Sequence, residues 1–189
     1  MKSTFLGSFP ADLPAPTLPE VAFAGRSNVG KSSAINAIVG QHGLCRTSGT
    51  PGRTQAINLF QFDDRWIAAD LPGYGYAKVS HGDRAKWKQM IADYFGHRPT
   101  LRLVVTFVDA RIPPQESDTV LIQSLREYNL PMAILATKID GVTRNKRAAS
   151  VAALAAAHGI DPARILPFSA HEAIGIEDAR KLIYSVTRA

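Results

Sequence analysis

Cysteine is nearly missing from this chain of 189 residues, and long apolar runs are missing altogether. The one thiol, Cys45, cannot close an internal disulfide, which excludes a disulfide-stapled secreted fold and favours a reducing compartment. Every apolar stretch is well short of the roughly 20 residues that a membrane-spanning helix needs. The start of the chain carries prolines at positions 10, 14, 16 and 19 instead of the apolar core of a signal peptide. We therefore expect a cytoplasmic protein without a membrane partner.

Acidic residues are in the minority, with 16 Asp and Glu against 22 Lys and Arg, so the formal net charge is +6. A basic surface gathers polyanions because their counterions are released on binding, which makes RNA or a ribonucleoprotein a natural partner. Charge alone leaves this open, because many basic proteins bind no nucleic acid. None of the five histidines has the spacing of metal ligands, and 46% hydrophobic residues suffice for the core of one domain.

Short apolar strands alternate with helical patterns along the chain. Six strands are predicted, at residues 21–24, 56–62, 65–71, 101–108, 132–136 and 165–168. Helices are predicted at residues 33–39, 84–95, 116–128, 144–158 and 176–187. The alternation predicts an α/β fold with a mainly parallel six-stranded sheet, one antiparallel edge strand and helices on both faces. Residues 1–18 are predicted to form an extended N-terminal arm, and residues 19–189 a single domain.

A glycine-rich segment between the first predicted strand and the first predicted helix has the form G-x-x-x-x-G-K-[ST]. Its residues are Gly25, Arg26, Ser27, Asn28, Val29, Gly30, Lys31 and Ser32, followed by Ser33. Glycines allow successive N–H groups to point into one anion-sized hollow at the positive end of the helix. Lys31 then reaches the β- and γ-phosphates, and the Ser32 hydroxyl ligates Mg²⁺. The segment, a P-loop, predicts binding of a nucleoside triphosphate.

A D-x-x-G motif follows the third predicted strand, at Asp70, Leu71, Pro72 and Gly73. Taken alone it is an ordinary turn after a strand, and its position after the P-loop gives it meaning. The Asp70 carboxylate is a hard oxygen ligand suited to Mg²⁺, and the Gly73 N–H is placed to meet the γ-phosphate. The motifs therefore predict Ser32 and Asp70 as metal ligands.

Two further motifs at strand ends predict which base the bound nucleotide carries. Thr137, Lys138, Ile139 and Asp140 fit [NT]-K-x-D. An Asp carboxylate accepts hydrogen bonds from N1–H and the exocyclic amine of guanine, whereas adenine offers it an unprotonated N1. After the last strand, Phe168, Ser169 and Ala170 are placed to offer backbone N–H groups to the guanine carbonyl. The ordered set favours GTP over ATP. A P-loop kinase that passes phosphate to a small acceptor is the alternative, and it leaves Asp140 unexplained.

The motifs together resemble one family across nearly the whole chain. GRSNVGKSS, TPGRTQ at residues 50–55, DLPGYGYA at residues 70–77, TKID and the terminal FSA look like the EngB (YihA/YsxC) group. The resemblance implies a Ras-like G domain of the TrmE-Era-EngA-EngB-septin-like class that binds GTP and GDP and depends on Mg²⁺. It also implies hydrolysis of GTP to GDP as a switch in assembly of the large ribosomal subunit, contact with rRNA and ribosomal proteins, and a role in cell division and septation. We expect a monomer.

The resemblance also identifies residues 40–54 as the first switch. Thr54 matches the switch threonine that completes the Mg²⁺ shell, and Gly52, Arg53, Thr54, Gln55 and Ala56 would line the triphosphate. A hydroxyl on a glycine-flanked loop is suited to being ordered by metal and released on hydrolysis. Thr137 stands where Asn is commoner among GTPases, and this lost amide predicts modest nucleotide affinity.

Hydrolysis is predicted to be slow. A glutamine after D-x-x-G often orients the attacking water, and this chain has Tyr74 there. In related GTPases an asparagine at the position of Asn28 helps to bind K⁺, and the alternative is that Asn28 only caps the loop. The predicted catalytic residues are Lys31, Asn28 and Thr54, with Arg26 and Arg53 as alternative donors of positive charge.

Basic residues in the segment after D-x-x-G, which is the second switch, and on one helix predict the partner surface. They are Arg144, Lys146 and Arg147 on the helix, and Tyr74, Tyr76, Lys78, Arg84, Lys86 and Lys88 after D-x-x-G. Positive charge mixed with aromatic rings suits contact with rRNA phosphates and some stacking, and solvated helix faces are the competing explanation. Trp66 and Trp87 are predicted to pack in the protein.

Overall fold

Seven strands form one sheet in the computed structural model, which describes residues 2–45, 56–74 and 81–188, without the side chains at 81, 83, 84 and 86. The strands are β1 (Ser3–Phe9), β2 (Glu20–Gly25), β3 (Ile57–Phe62), β4 (Trp66–Asp70), β5 (Leu101–Asp109), β6 (Met132–Thr137) and β7 (Ile165–Pro167). Their order across the sheet is β1-β3-β4-β2-β5-β6-β7. From β4 to β7 all neighbours are parallel. The mainly parallel α/β sheet is confirmed.

The sheet differs from the sequence prediction in two ways: it has a seventh strand, and that strand forms one edge. Part of the predicted arm forms β1, which pairs antiparallel with β3 from Ser3 opposite Phe62 to Phe9 opposite Ile57. The antiparallel strand β3 is therefore covered and is not the edge of the sheet. The sequence did not predict β1 for two reasons. Proline-rich sequence follows it, and its seven residues show little alternation of buried and exposed positions.

In the part of the chain that the structure describes, five α-helices cover the two faces of the sheet, as predicted. They are α1 (Lys31–Val39), α2 (His81–His97), α3 (Glu116–Glu127), α4 (Arg144–His158) and α5 (Ile176–Thr187). On one face, α1 and α5 pack over the phenylalanines Phe23 and Phe107. On the other face, α2 and α3 pack over the small residues of β2 and β4, and α3 and α4 over β5 and β6. None of the helices in the described ranges is long and apolar enough to cross a membrane.

A buried ionic cluster fixes the start of β2. Glu20 is 0% exposed. Its carboxylate accepts hydrogen bonds from Arg98, by Nη2 and by Nε at 3.1 Å, and from the Tyr94 hydroxyl at 2.9 Å. Arg98 also donates to the Pro14 carbonyl at 2.7 Å, which ties the proline-rich segment to the domain. A carboxylate buried this deeply is tolerated only because its partners replace water.

Arg98→Met should lower the free energy of unfolding by about 3–5 kcal/mol, because it leaves the Glu20 carboxylate buried without its cation. Urea unfolding of the wild type and the variant measures the loss. Arg102→Met is the matched control, since Arg102 is exposed and a surface change should cost no more than about 0.5 kcal/mol. Equal losses in the two variants would contradict this interpretation.

Candidate nucleotide site

The predicted motifs meet along one edge of the sheet. Parallel strands bring their carboxyl ends to the same side, and ligands of such sheets bind there. The P-loop follows β2, Asp70 ends β4, and the TKID motif begins at the end of β6. The Phe168–Ala170 segment follows β7 directly. The topology therefore gathers four motifs that are up to 145 residues apart in sequence, counting from Gly25 to Ala170.

The backbone of the P-loop adopts conformations that few residues allow. Asn28 has φ +64° and Gly30 has φ +101°, and the latter is a conformation that side chains rarely adopt. The Val29 N–H donates to the Arg26 carbonyl at 3.2 Å, and the Ala34 N–H donates to Gly30 at 2.9 Å as α1 begins. The loop thus feeds straight into the positive end of a helix, which favours an anion.

Lys31 and Asp70 form an ion pair beside this loop, with both side chains largely buried. Ser32 lies in the first turn of α1, next to Lys31. The buried thiol of Cys45 is close by, and burial, followed by the charge of Asp70, raises its pKa to about 12. Hydroxyl and carboxylate oxygens are ligands that Mg²⁺ prefers. Within the described ranges, no cluster of three His, Cys, Asp or Glu side chains could hold a metal by itself.

Thr137 joins the end of β6 to the P-loop. Its hydroxyl lies 2.7 Å from the Val29 carbonyl and 3.0 Å from the Val108 carbonyl, and its single proton is shared between these two acceptors. The side chain is buried, so the bond is shielded from water. Thr137 therefore ties the end of β6 to the backbone of the P-loop.

Lys138 is the second tie between the two motifs. Its backbone has φ +57°, and its ammonium donates to the Asn28 carbonyl at 2.5 Å and to Asp109 Oδ2 at 3.0 Å. Asp109 also accepts from the Arg111 side chain at 3.0 and 2.9 Å. Burial would raise the pKa of Asp109, but the hydrogen bonds from Arg111 and Lys138 outweigh it and hold the pKa below its usual value. The sequence reasoning missed Asp109, although a polar residue at a buried strand end could have indicated it.

Asp140 is held as a carboxylate by its surroundings. A hydrogen bond from Ser169 is the main reason that the pKa of Asp140 lies below its usual value, and the charges of His171 and Arg111 add to it. Ser169 is buried, and Phe168 before it accepts a hydrogen bond from the Ile139 N–H at 3.2 Å. The two segments predicted to contact guanine are therefore in direct contact with each other. An ionised carboxylate is the form that accepts two donors from guanine.

Tyr74 differs from its predicted role on the partner surface. Its ring is 8% exposed, so it is not available for stacking on RNA. Its main chain bonds the P-loop, since the Ser27 N–H donates to the Tyr74 carbonyl at 3.0 Å. Gly73 lies so close to the P-loop that a Cβ on it would come within 3.1 Å of Ser27 N and Oγ. Trp66 and Trp87 pack in the protein as predicted, against Phe62 and Tyr74 respectively.

The first switch is only partly within the described residues. Gly52, Arg53, Thr54 and Gln55 lie outside them, as do Tyr76 and Lys78 near the second switch, and Ala56 is half-buried just before β3. Asn36 of α1 fixes the chain just before residue 46: its amide donates to the Cys45 carbonyl at 3.0 Å and accepts from the Cys45 N–H at 2.8 Å. Nothing in the sequence pattern marked Asn36.

Comparison with known proteins agrees with this geometry. Residues 20–138 match the protein family described as 50S ribosome-binding GTPase. Probable GTP-binding protein EngB of Geobacter metallireducens is 48% identical over 164 residues, or 87% of this chain and 80% of the relative. The corresponding protein of Streptococcus pyogenes serotype M1 is 46% identical over 167 residues, or 88% of this chain and 84% of the relative. The chain belongs to the EngB family of GTP-binding proteins.

Solved structures show the same fold. The crystal structure of a probable GTP-binding protein engB matches with a TM-score of 0.74 at 24% identity, covering 89% of this chain and 98% of that one. Era in complex with MgGDPNP and part of 16S ribosomal RNA matches with a TM-score of 0.71 at 20% identity, covering 91% of this chain and 57% of that one. At these identities the likeness shows the fold alone, and it confirms the α/β P-loop GTPase fold of this EngB-family chain.

Asp109→Asn should raise the Kd for GDP of this EngB-family protein by about tenfold, because Lys138 loses the charged partner that holds it beside the P-loop. Titration with a fluorescent GDP analogue measures the change. Asp178→Asn is the matched control, since Asp178 is exposed in the first turn of α5. If Asp109→Asn binds GDP as the wild type does, Asp109 does not position Lys138 for the nucleotide.

Proposed function

We propose that this protein binds and hydrolyses GTP as a switch in assembly of the large ribosomal subunit, in the cytoplasm. The observation that carries the proposal is the direct contact between the phosphate loop and the base motif. Thr137 and Lys138 donate to the carbonyls of Val29 and Asn28. One rigid surface can therefore bind both ends of a guanine nucleotide.

Mg²⁺ would be held by Ser32 and Asp70, with Thr54 as the third ligand from the first switch. In support, Asp70 pairs with Lys31, Ser32 follows Lys31 in the first turn of α1, and both Ser32 and Asp70 carry hard oxygen donors. When bound, Mg²⁺ supplies charge that offsets the phosphate oxygens. Lys31 is freed from Asp70 as it turns to the β- and γ-phosphates. The Gly73 N–H, held against the P-loop, donates to the γ-phosphate, which GDP lacks.

Intrinsic hydrolysis is slow in this proposal, because Tyr74 offers no amide for a water and is buried beside the P-loop. A K⁺ ion bound with the help of Asn28 would supply the missing positive charge. In support, Asn28 is exposed at the mouth of the loop, while its carbonyl is already engaged by Lys138. Lys31, Asn28 and Thr54 form the proposed catalytic set.

Potassium should raise the rate of GTP hydrolysis by at least about tenfold over sodium, because a cation near the transferred phosphate stabilises its developing charge. Asn28→Gly should abolish the difference. Glycine accepts the φ of +64° at this position and removes only the side chain. Phosphate release in matched K⁺ and Na⁺ buffers, with and without ribosomal particles, is the measurement. Equal turnover in the two salts would contradict the role of K⁺ and leave GTP binding intact.

The ribosomal partner is proposed from the family and supported by charge. The matched family is described as 50S ribosome-binding GTPase, which supports a large-subunit partner, and septation would depend on that partner through the supply of ribosomes. In the structure, Arg144 and Lys146 are exposed in the first turn of α4, where the helix dipole disfavours cations unless an anion meets them. Arg147 is engaged with the Val142 carbonyl and Glu172, so it is a weaker candidate for RNA contact.

Large ribosomal subunits should co-sediment with the protein more strongly under a non-hydrolysable GTP analogue than under GDP, and binding should fall steeply with salt. Arg144→Glu with Lys146→Glu should reduce the salt slope by about one for each lost phosphate contact. Lys181→Glu with Arg188→Glu is the matched control, with the same change in charge at exposed positions in α5 and directly after it.

Binding indifferent to the nucleotide would contradict the switch and leave the fold intact. Equal slopes for the two charge variants would exclude α4 as the RNA-contacting element. Transfer of phosphate from GTP to a small acceptor, in preference to water, would instead support the kinase alternative.

A further inference from the structure

Two buried clusters in this fold have the same composition, a tyrosine and an arginine on one carboxylate. The first is Tyr94, Glu20 and Arg98 at the start of β2. The second stands at the other end of β2 and contains Tyr74, Asp118 and Arg26. The first is remote from the nucleotide motifs. The second joins two of them to helix α3.

Asp118 is the centre of the second cluster and is 1% exposed. Its Oδ1 accepts the Tyr74 hydroxyl at 2.9 Å, and Arg26 Nε lies 3.1 and 3.2 Å from the two carboxylate oxygens. Burial raises the pKa of Asp118, although Arg26 and Tyr74 oppose that shift. Removing such a group from water is costly, so the contacts that it makes with its partners must be well formed.

One partner of Asp118 lies inside the P-loop, and the other directly follows the D-x-x-G motif. Arg26 is the second residue of the P-loop, and Tyr74 comes directly after Gly73 of D-x-x-G. Trp87 of α2 also contacts residues 72–74, the segment that contains Tyr74. The Trp87 indole N–H donates to the Pro72 carbonyl at 3.0 Å, and its ring lies 5.6 Å from the Tyr74 ring.

We infer that Asp118 is a positioning residue for GTP hydrolysis, which acts by holding Tyr74 and Arg26 so that residues 72–74 stay against the P-loop. The inference rests on the proposed function and deepens it. With the Tyr74 ring fixed, the Gly73 backbone keeps its close approach to Ser27 and its N–H is ready for the γ-phosphate. Such preorganisation lowers the barrier because no reordering is needed at the moment of reaction.

A comparison of GDP binding with GTP hydrolysis distinguishes this positioning role from a merely structural one. GDP has no γ-phosphate, so its affinity does not depend on the Gly73 N–H. Loss of the tether should therefore slow hydrolysis and leave GDP binding unchanged. A variant that simply loosened the fold would weaken both.

Tyr74→Phe removes one hydroxyl and should slow single-turnover hydrolysis at saturating GTP by about fivefold. Asp118→Asn also loses the charge that holds Arg26 and should slow it by about tenfold. Both variants should bind GDP within about twofold of the wild type. Tyr94→Phe is the matched control: it removes the same hydroxyl from the same kind of buried carboxylate, and it should hydrolyse GTP at the wild-type rate.

The losses from Tyr74→Phe and Asp118→Asn should not multiply in the double variant, because the hydroxyl and the carboxylate share one hydrogen bond. Wild-type rates in both single variants, an equal loss in Tyr94→Phe, or multiplying effects in the double variant would overturn the inference. If Asp118→Asn does not fold, Tyr74→Phe carries the test, since its ring still packs on Trp87. Absence of GTP hydrolysis in the wild type would overturn the proposed function itself, which distinguishes the two failures.

Discussion

The contact between the P-loop and the end of β6 is the interaction on which the site depends. A phosphate loop needs its backbone N–H groups free to point at the ligand, so its carbonyls must find partners elsewhere. Thr137 and Lys138 provide those partners for Val29 and Asn28. Because both donors belong to the base motif, the same bonds that hold the phosphate loop in shape also set its distance from the base site. In the proposed site, the fold would therefore position guanine and phosphate together.

Buried carboxylates organise the remainder of the structure around this contact. Glu20 secures the start of β2, and Asp118 secures the segment that follows its end. Asp109 holds Lys138, and Asp70 pairs with Lys31. Each carboxylate has a cationic partner from a different element of the chain, so each pair joins elements that are distant in sequence. Ion pairs of this kind add little net stability, since burying both charges is costly. Their value here is in fixing relative position.

The sequence was sufficient for the order of elements from β2 onward and for the motifs that the sheet brings to one edge, because these depend on local patterns. The bounds of α4 and α5 are those predicted, since each is framed by turn residues and an apolar periodicity. Strand β1 was missed because an edge strand buries little and leaves no alternation to detect. Asp109, Asp118 and Asn36 were missed for another reason. Their partners are not neighbours in sequence: Asp118 meets Arg26 at a separation of 92 residues, and Asp109 meets Lys138 at 29. Asn36 bonds the main chain of Cys45, nine residues away.

The lysines of the site are already paired with carboxylates, so binding a nucleotide must break or replace these pairs. Lys31 is already neutralised by Asp70, and Lys138 by Asp109, so a bare phosphate gains little from them and would leave the Asp70 carboxylate buried without a cation. In the proposed site, Asp70 would hold Mg²⁺ as its new positive partner, and Lys31 would then be free for the phosphates. Binding would therefore be an exchange of partners in which metal and nucleotide depend on each other. A site built in this way would favour the magnesium complex of a nucleotide over the nucleotide alone, because a buried carboxylate without a cation is costly.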